Sequence, residues 1–258
     1  MIVTRPTYNA TIGGQELAAF GVVLAKDGFR VGDAEPVLTF SEIAGMYGSH
    51  DLTLDDVTDA AFVLRRDIEL DVIACDDGMP TDPTCIPASK ALVGALNGSD
   101  TSIGWRPYGG EFRGRLTVGR WEDTRDARGV LAASRSTLTL HAMPFISSPA
   151  VTQALGSGTT ALQVAGNRPT RPVFRITPSS SSAWSVGIGD ATIQRETTTG
   201  GTQPVTIDCG RRRTYLTSTG ANLVITLASE YPTLVPGSNT VRLTGCTGSV
   251  WYEPLTLI

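Results

Sequence analysis

Hydrophobic and polar positions alternate along most of this chain. In residues 61–74, AFVLRRDIELDVIA, the positions Val63, Arg65, Asp67 and Glu69 oppose Leu64, Arg66, Ile68 and Leu70. A period of two with one polar face predicts a half-buried strand. The same pattern recurs in ASRSTLTLHAMPFI (residues 133–146), where Leu138, Leu140 and Ala142 oppose Thr137, Thr139 and His141. YNATI (residues 8–12) runs into Gly13-Gly14, a hairpin turn. ELAAFGVVLAKDG then reads as a half-buried strand ending at Gly28, with Val22, Leu24 and Lys26 opposite Val23 and Ala25. In TFSEIAGMYGSHDLTL (residues 39–54), Gly45 and Gly48 surround Tyr47 and predict a loop or bulge. Residues 102–123 read as strands turning at Gly109-Gly110.

One segment breaks the alternation. IPASKALVGALNG (residues 86–98) places Leu92, Val93 and Leu96 on one helical face, with Pro87 in the first turn and Asn97-Gly98 as a stop. Residues 147–170 are small, Gly-rich and nearly uncharged, and predict a linker through about residue 167, with one strand near residues 161–164. Beyond it lie seven short apolar runs: RPVFRIT, AWSVGI, VTIDC, RTYLT, NLVITLA, NTVRLTG and SVWYEPLTLI. Short strands separated by Gly, Asn and Ser clusters predict a β-sandwich.

The length of 258 residues fits two ordinary domains, and the change of texture divides them into residues 1–146 and 147–258. The fold class expected is mainly β. Charge sharpens the division. From residue 146 onward there are 8 Arg and 5 acidic residues, net +3, against 13 basic and 20 acidic residues before it, net −7. The total of −4 disfavours a general nucleic-acid binder, which needs a basic surface. The N-terminus has no basic stretch followed by an apolar run, so no signal peptide is read, and LAAFGVVLA (residues 17–25) is too short to span a bilayer. A soluble chain synthesised in a cytoplasm is expected.

Candidate chemistry is sparse. Cys75, Cys85, Cys209 and Cys246 form no CxxC pair, which excludes zinc-ribbon and thioredoxin-type sites. One disulfide per half, Cys75 with Cys85 first, stays open beside free structural thiols, which the missing secretory signal favours. The histidines are His50, read as a loop residue packing on Tyr47, and His141, on the polar face of a strand. No G-x-S-x-G elbow accompanies Ser49-His50-Asp51, and no HExxH, EF-hand or P-loop pattern occurs. GIGDAT lacks the third glycine of a dinucleotide fingerprint. The Asp-rich CDDGMPTD admits calcium weakly. No catalytic, cofactor or metal residue is therefore assigned. Arg211-Arg212-Arg213 reads as a hairpin turn, and Trp184, Tyr231, Trp251 and Tyr252 as mostly core, with Trp251 and Tyr252 on opposite faces of one strand.

The order of several landmarks resembles the distal tail protein family of long-tailed, siphovirus-type bacteriophages. They are AFGVVL, IAGMYGSHDLTL, RRDIELDV, the helix ALVGALNG, YGGEFRGRLTV and TLTLHAMPFI in the first half. In the second they are RPVFRI, VTIDC and the closing run YPTLVPGSNTVRLTGCTGSVWYEPLTL, with its L-x-P-G-x-N-x-V pattern. The Gly-rich stretch and the CDDGMPTDPTC loop have no counterpart among those landmarks. The resemblance implies an N-terminal β-barrel-like belt with one short helix, and a C-terminal galectin-like β-sandwich. It implies a structural virion protein without catalysis or cofactor. Six copies would form a ring at the tail tip, joining the tail tube protein to tail-tip hub and receptor-binding proteins, with DNA passing through the hole. The acidic groups Asp51, Asp55, Asp56 and Asp59, and Asp76, Asp77 and Asp82, are then candidates for a channel wall that repels phosphate, against the plainer reading of a solvated surface. A carbohydrate-binding module is the competing reading and an esterase-like hydrolase a weaker third.

Overall fold

The period-two stretches become adjacent strands of one antiparallel sheet. The computed structural model describes residues 10–42, 48–75, 85–179, 183–196 and 202–258. The chain divides into two units: the described residues of Met1–Thr53, Phe62–Ser147 and Ile258–Ile258, and those of Leu54–Ala61 and Ser148–Leu257.

In the first unit, β1 (Ala10–Ile12) and β2 (Gln15–Glu16) form the expected hairpin. Gly13 and Gly14 both have positive φ, 57° and 77°, as a two-residue primed turn requires. Residues 17–20, read as strand, instead form a 3-10 turn that buries Leu17. The following β3 (Val23–Val31) continues past Gly28. Its register breaks between Leu24 and Phe29, around Asp27 at φ 55°. This bulge turns Ala25 inward, where strict alternation put it opposite Leu24. β4 (Phe40–Glu42) and β5 (Ser49–Asp51) pair with each other, so the segment read as loop or bulge carries a small hairpin instead; Ile43 to Tyr47 lie outside the described residues.

β6 (Arg66–Cys75), β7 (Asp100–Trp105), β8 (Gly110–Val118), β9 (Glu122–Arg125) and β10 (Leu131–Ser147) complete the unit. The sheet runs β2-β1-β7-β8-β10-β6-β3, with β9 beside the start of β10, and curls into a half-barrel. Ile68, Leu70 and Val72 of β6 and Leu138, Leu140 and Ala142 of β10 are fully buried, as their alternation predicts. Gly114 lies so close to the β10 backbone at His141 that no side chain fits between them. Helix α1 (Cys85–Gly94) covers part of this core with Ile86, Ser89 and Val93. The predicted helix exists, with Val93 buried and Leu96 packed against the core as expected, whereas Leu92 is half exposed.

The second unit is a sandwich of two antiparallel sheets. β11 (Val151–Leu155) and β12 (Gly158–Val164) come first, followed by β13 (Val173–Pro178), β14 (Trp184–Ile188), β15 (Ala191–Arg195), β16 (Val205–Asp208), β17 (Arg213–Leu216), β18 (Gly237–Thr244) and β19 (Cys246–Tyr252). One sheet runs β11-β19-β13-β16-β17 and the other β12-β18-β14-β15. The Gly-rich stretch read as a linker with one strand thus contributes an edge strand to each sheet. NLVITLA is not a strand: Val224 and Leu227 are exposed. Phe174, Ile176, Ile207 and Val250 of one sheet and Trp184, Val186, Ile193 and Val241 of the other fill the core.

Candidate assembly surfaces

The L-x-P-G-x-N-x-V landmark shows what its residue types do. Leu234 and Val241 are core residues, and Gly237 sits at φ 92°. Between them Asn239, 5% exposed, closes the turn on itself. Its Oδ1 accepts from the Val235 amide at 3.0 Å, and its Nδ2 donates to the Val235 carbonyl at 2.7 Å and the Gly237 carbonyl at 3.2 Å. Asparagine carries both donor and acceptor, so it satisfies a bent backbone that would otherwise bury unpaired groups.

Residues 35–42, 48–53 and 62–65 of the first unit form an arm. It is held by the β4–β5 pairing, by the Pro36–Val63 bridge, and by hydrogen bonds from Val37 to Phe62, Leu64 to Glu35 and Leu52 to Thr39. Backbone pairing accounts for its shape. Side chains do not cover it: Leu38 (54%), Phe40 (57%), Leu52 (51%), Phe62 (53%) and Leu64 (50%) are all at least half exposed. Two strands with no packed face are marginal in water, and a run of uncovered large apolar residues marks an interaction surface.

The outer face of the curled sheet is polar. Asp71, 6% exposed, is its centre. Arg30 Nη1 donates to Oδ2 at 2.8 Å, Arg135 Nη2 at 3.0 Å, and Thr137 Oγ1 to Oδ1 at 2.6 Å. The Arg30 guanidinium holds the Asp71 carboxyl well below the usual carboxylate range against the opposing effect of burial, with Thr137 and Arg135 adding to it. Two same-face pairs along the strands, beyond Thr139 and Glu69, His141 Nδ1 lies 2.6 Å from Asp67 Oδ1, both half exposed. His141 is thus on the polar face, and His50 is exposed on β5, while Tyr47 lies outside the described residues.

The acidic groups divide. Asp51 accepts the Thr53 amide. Asp56 is 16% exposed at its side chain, accepts from the Thr58 amide at 2.7 Å, and pairs with Arg168 at 3.4 Å within the second unit. Its carboxylate is thereby engaged in its own turn and is withdrawn from the solvent-facing set to which the sequence assigned it. Asp76, Asp77 and Asp82, and with them the candidate calcium loop, lie outside the described residues, as does the side chain of Cys75. Among the described residues no cluster of His, Cys, Asp or Glu suits a metal, and no helix is long and apolar enough to cross a membrane. Cys85, Cys209 and Cys246 are free thiols, and burial pushes Cys209 up to about 12 and Cys246 to about 11.

In the arginine triplet, Arg212 takes φ 50° in the turn. Arg213 donates to Asn222 Oδ1 at 2.6 Å and the Gly220 carbonyl at 2.8 Å and stacks over Tyr215, its guanidinium 4.9 Å from the ring centre. Trp184 and Tyr252 are buried, and Trp251 faces outward.

Comparison with known proteins bears on this geometry. Residues 165–254 match the profile of the siphovirus-type tail component, C-terminal domain. The crystal structure of SPP1 Dit (gp 19.1), described as a paradigm of hub adsorption apparatus in Gram-positive infecting phages, shares the fold. It has a TM-score of 0.69 at 18% identity, over 96% of this chain and 98% of that one. The baseplate of phage p2 in its activated conformation with calcium reaches a TM-score of 0.43 at 9% identity, over 92% of this chain and 91% of that one, too low to add weight. No curated protein sequence matches. The class is therefore a structural component of a siphovirus-type phage tail. Within that class, the resemblance read from the sequence is borne out: residues 165–254 match the tail component's C-terminal domain, and the chain shares its fold with SPP1 Dit.

Proposed function

We propose that this chain forms the ring at the distal end of a long phage tail. In this reading residues 1–146 make the ring and residues 147–258 the outward sandwich. Six copies close around a channel through which DNA passes, and the ring joins the tail tube to the tail-tip hub and receptor-binding proteins. The observation that carries the reading is the uncovered apolar arm. A closed ring repeats one heterologous contact, so each subunit must offer a patch that fits a different patch on the next copy. The arm is such a patch: its backbone is paired, but its side chains lack a core. Supporting the structural role, the described residues hold no nucleophile–base–orienter constellation, and the one imidazole–carboxylate contact sits half exposed on a sheet face.

The test is assembly. Leu38→Asp with Phe40→Asp is expected to leave the thermal unfolding midpoint within a few degrees, because both positions are exposed, while abolishing oligomers by sedimentation velocity. Oligomers of wild-type size in the double variant would refute the arm as the ring contact.

A further inference from the structure

The outward face of the five-stranded sheet carries a cleft of about 560 Å³. Strand register builds it. Thr152, Trp251, Val173 and Asp208 stand in one row across β11, β19, β13 and β16. Ser249, Arg175, Thr206 and Tyr215 form the next row on the same face.

Three features are unexplained by packing. Trp251 is 40% exposed, although its neighbour Tyr252 and the domain's other tryptophan, Trp184, are in the core. Arg175 lines the cleft, and its side chain makes no hydrogen bond or ion pair among the described residues. Arg211, its side chain 83% exposed, reaches Asp208 only at 3.8 Å. Two arginines and a single carboxylate thus line the cleft beside a part-exposed indole.

We infer that this cleft binds a saccharide bearing an acidic group, a carboxylate or a phosphate. The apolar face of a sugar ring stacks on an indole, which offers a flat, rigid apolar surface with little entropy to lose. An arginine fork matches carboxylate or phosphate oxygens in two-point geometry, and Arg175 is the unengaged fork. Asp208 and Thr152 supply hydroxyl acceptors and donors at the rim. Single-stranded nucleic acid would stack successive bases on several rings. Here Arg213 already covers the Tyr215 face, leaving one open platform. The inference does not depend on ring formation.

The full-length chain is titrated with glucuronate, glucose 6-phosphate, glucose, inorganic phosphate and an oligothymidylate, read by tryptophan fluorescence and calorimetry. The expected result is saturable binding of at least one acidic sugar, with a dissociation constant on the order of 1 mM for so small a ligand. Glucose is expected to bind about tenfold more weakly. Arg175→Gln removes that preference, Trp251→Ala removes binding, and Trp251→Phe keeps most of it. Should Trp251→Ala unfold, Arg175→Gln decides alone, since its site is exposed. Either acidic sugar binding supports the inference and identifies the source of the acid. No response to either sugar acid overturns it. So does equal affinity for inorganic phosphate alone, tighter binding of the oligothymidylate, or an unchanged acid preference in Arg175→Gln.

Discussion

At the scale of single residues, two polar side chains hold more than their exposure suggests. Asn239 makes three hydrogen bonds inside its own turn. Asn239→Ala leaves Val235 backbone groups unpaired and is expected to cost about 1–3 kcal/mol, measurable by denaturant unfolding. Asp71 is different, because two of its partners, Arg30 and Arg135, are charged and themselves half in water. Asp71→Asn is expected to cost about 1–2 kcal/mol at neutral pH. Since the native carboxyl titrates below its unfolded value, this contribution is complete above about pH 4 and is lost as pH falls through the depressed native value. The difference between wild type and Asp71→Asn should therefore stay flat from pH 8 to 5 and shrink below pH 4; growth on acidification would contradict the assignment. Cys209 and Cys246, buried and pushed up to about 12 and about 11, should resist a thiol reagent at pH 8 until the chain is unfolded. Asn239 finds its partners within four positions, whereas those of Asp71 could not be read in the sequence. Asp71 and Thr137 are 66 positions apart, and only sheet register brings them together.

At the scale of elements, legibility followed the strength of the two-sided pattern. β6 and β10 announce themselves because one face is largely apolar, with Arg66, Ser134 and Ser136 its polar members, and the other carries Asp, Glu, Thr and His. β11 and β12 do not. They are edge strands rich in Thr, Gly and Ala, whose small residues weaken the contrast between faces. NLVITLA failed the opposite way: it is apolar enough for a strand, but Val224 and Leu227 point into solvent. The arm was missed as an element because its pairing is closed by long-range backbone contacts, such as Val37 with Phe62, that no local period encodes. Its exposure gives an element-scale prediction. Phe62→Asp, on the returning strand, should mimic the Leu38/Phe40 pair in abolishing assembly while sparing stability, whereas Leu140→Asp, in the core, should prevent folding outright. The acidic-sugar cleft is likewise a product of register: Trp251 and Arg175 are neighbours only because β19 lies between β11 and β13.

At the scale of the whole molecule, the order of landmarks pointed to a fold that the chain shares with SPP1 Dit at only 18% identity. What order could not supply is a contact surface, and the exposed arm is the one we propose. In a six-copy ring a millimolar sugar site would be repeated six times, so that tethering multiplies weak contacts. The central claim is the ring itself. Light scattering of the full chain at rising concentration, with negative-stain images of the same samples, tests it most directly. The prediction is a species near six times the 27.2 kDa chain mass, seen end-on as six-fold rings with a central hole. A single 27.2 kDa species at every concentration, with no rings in the images, would contradict it.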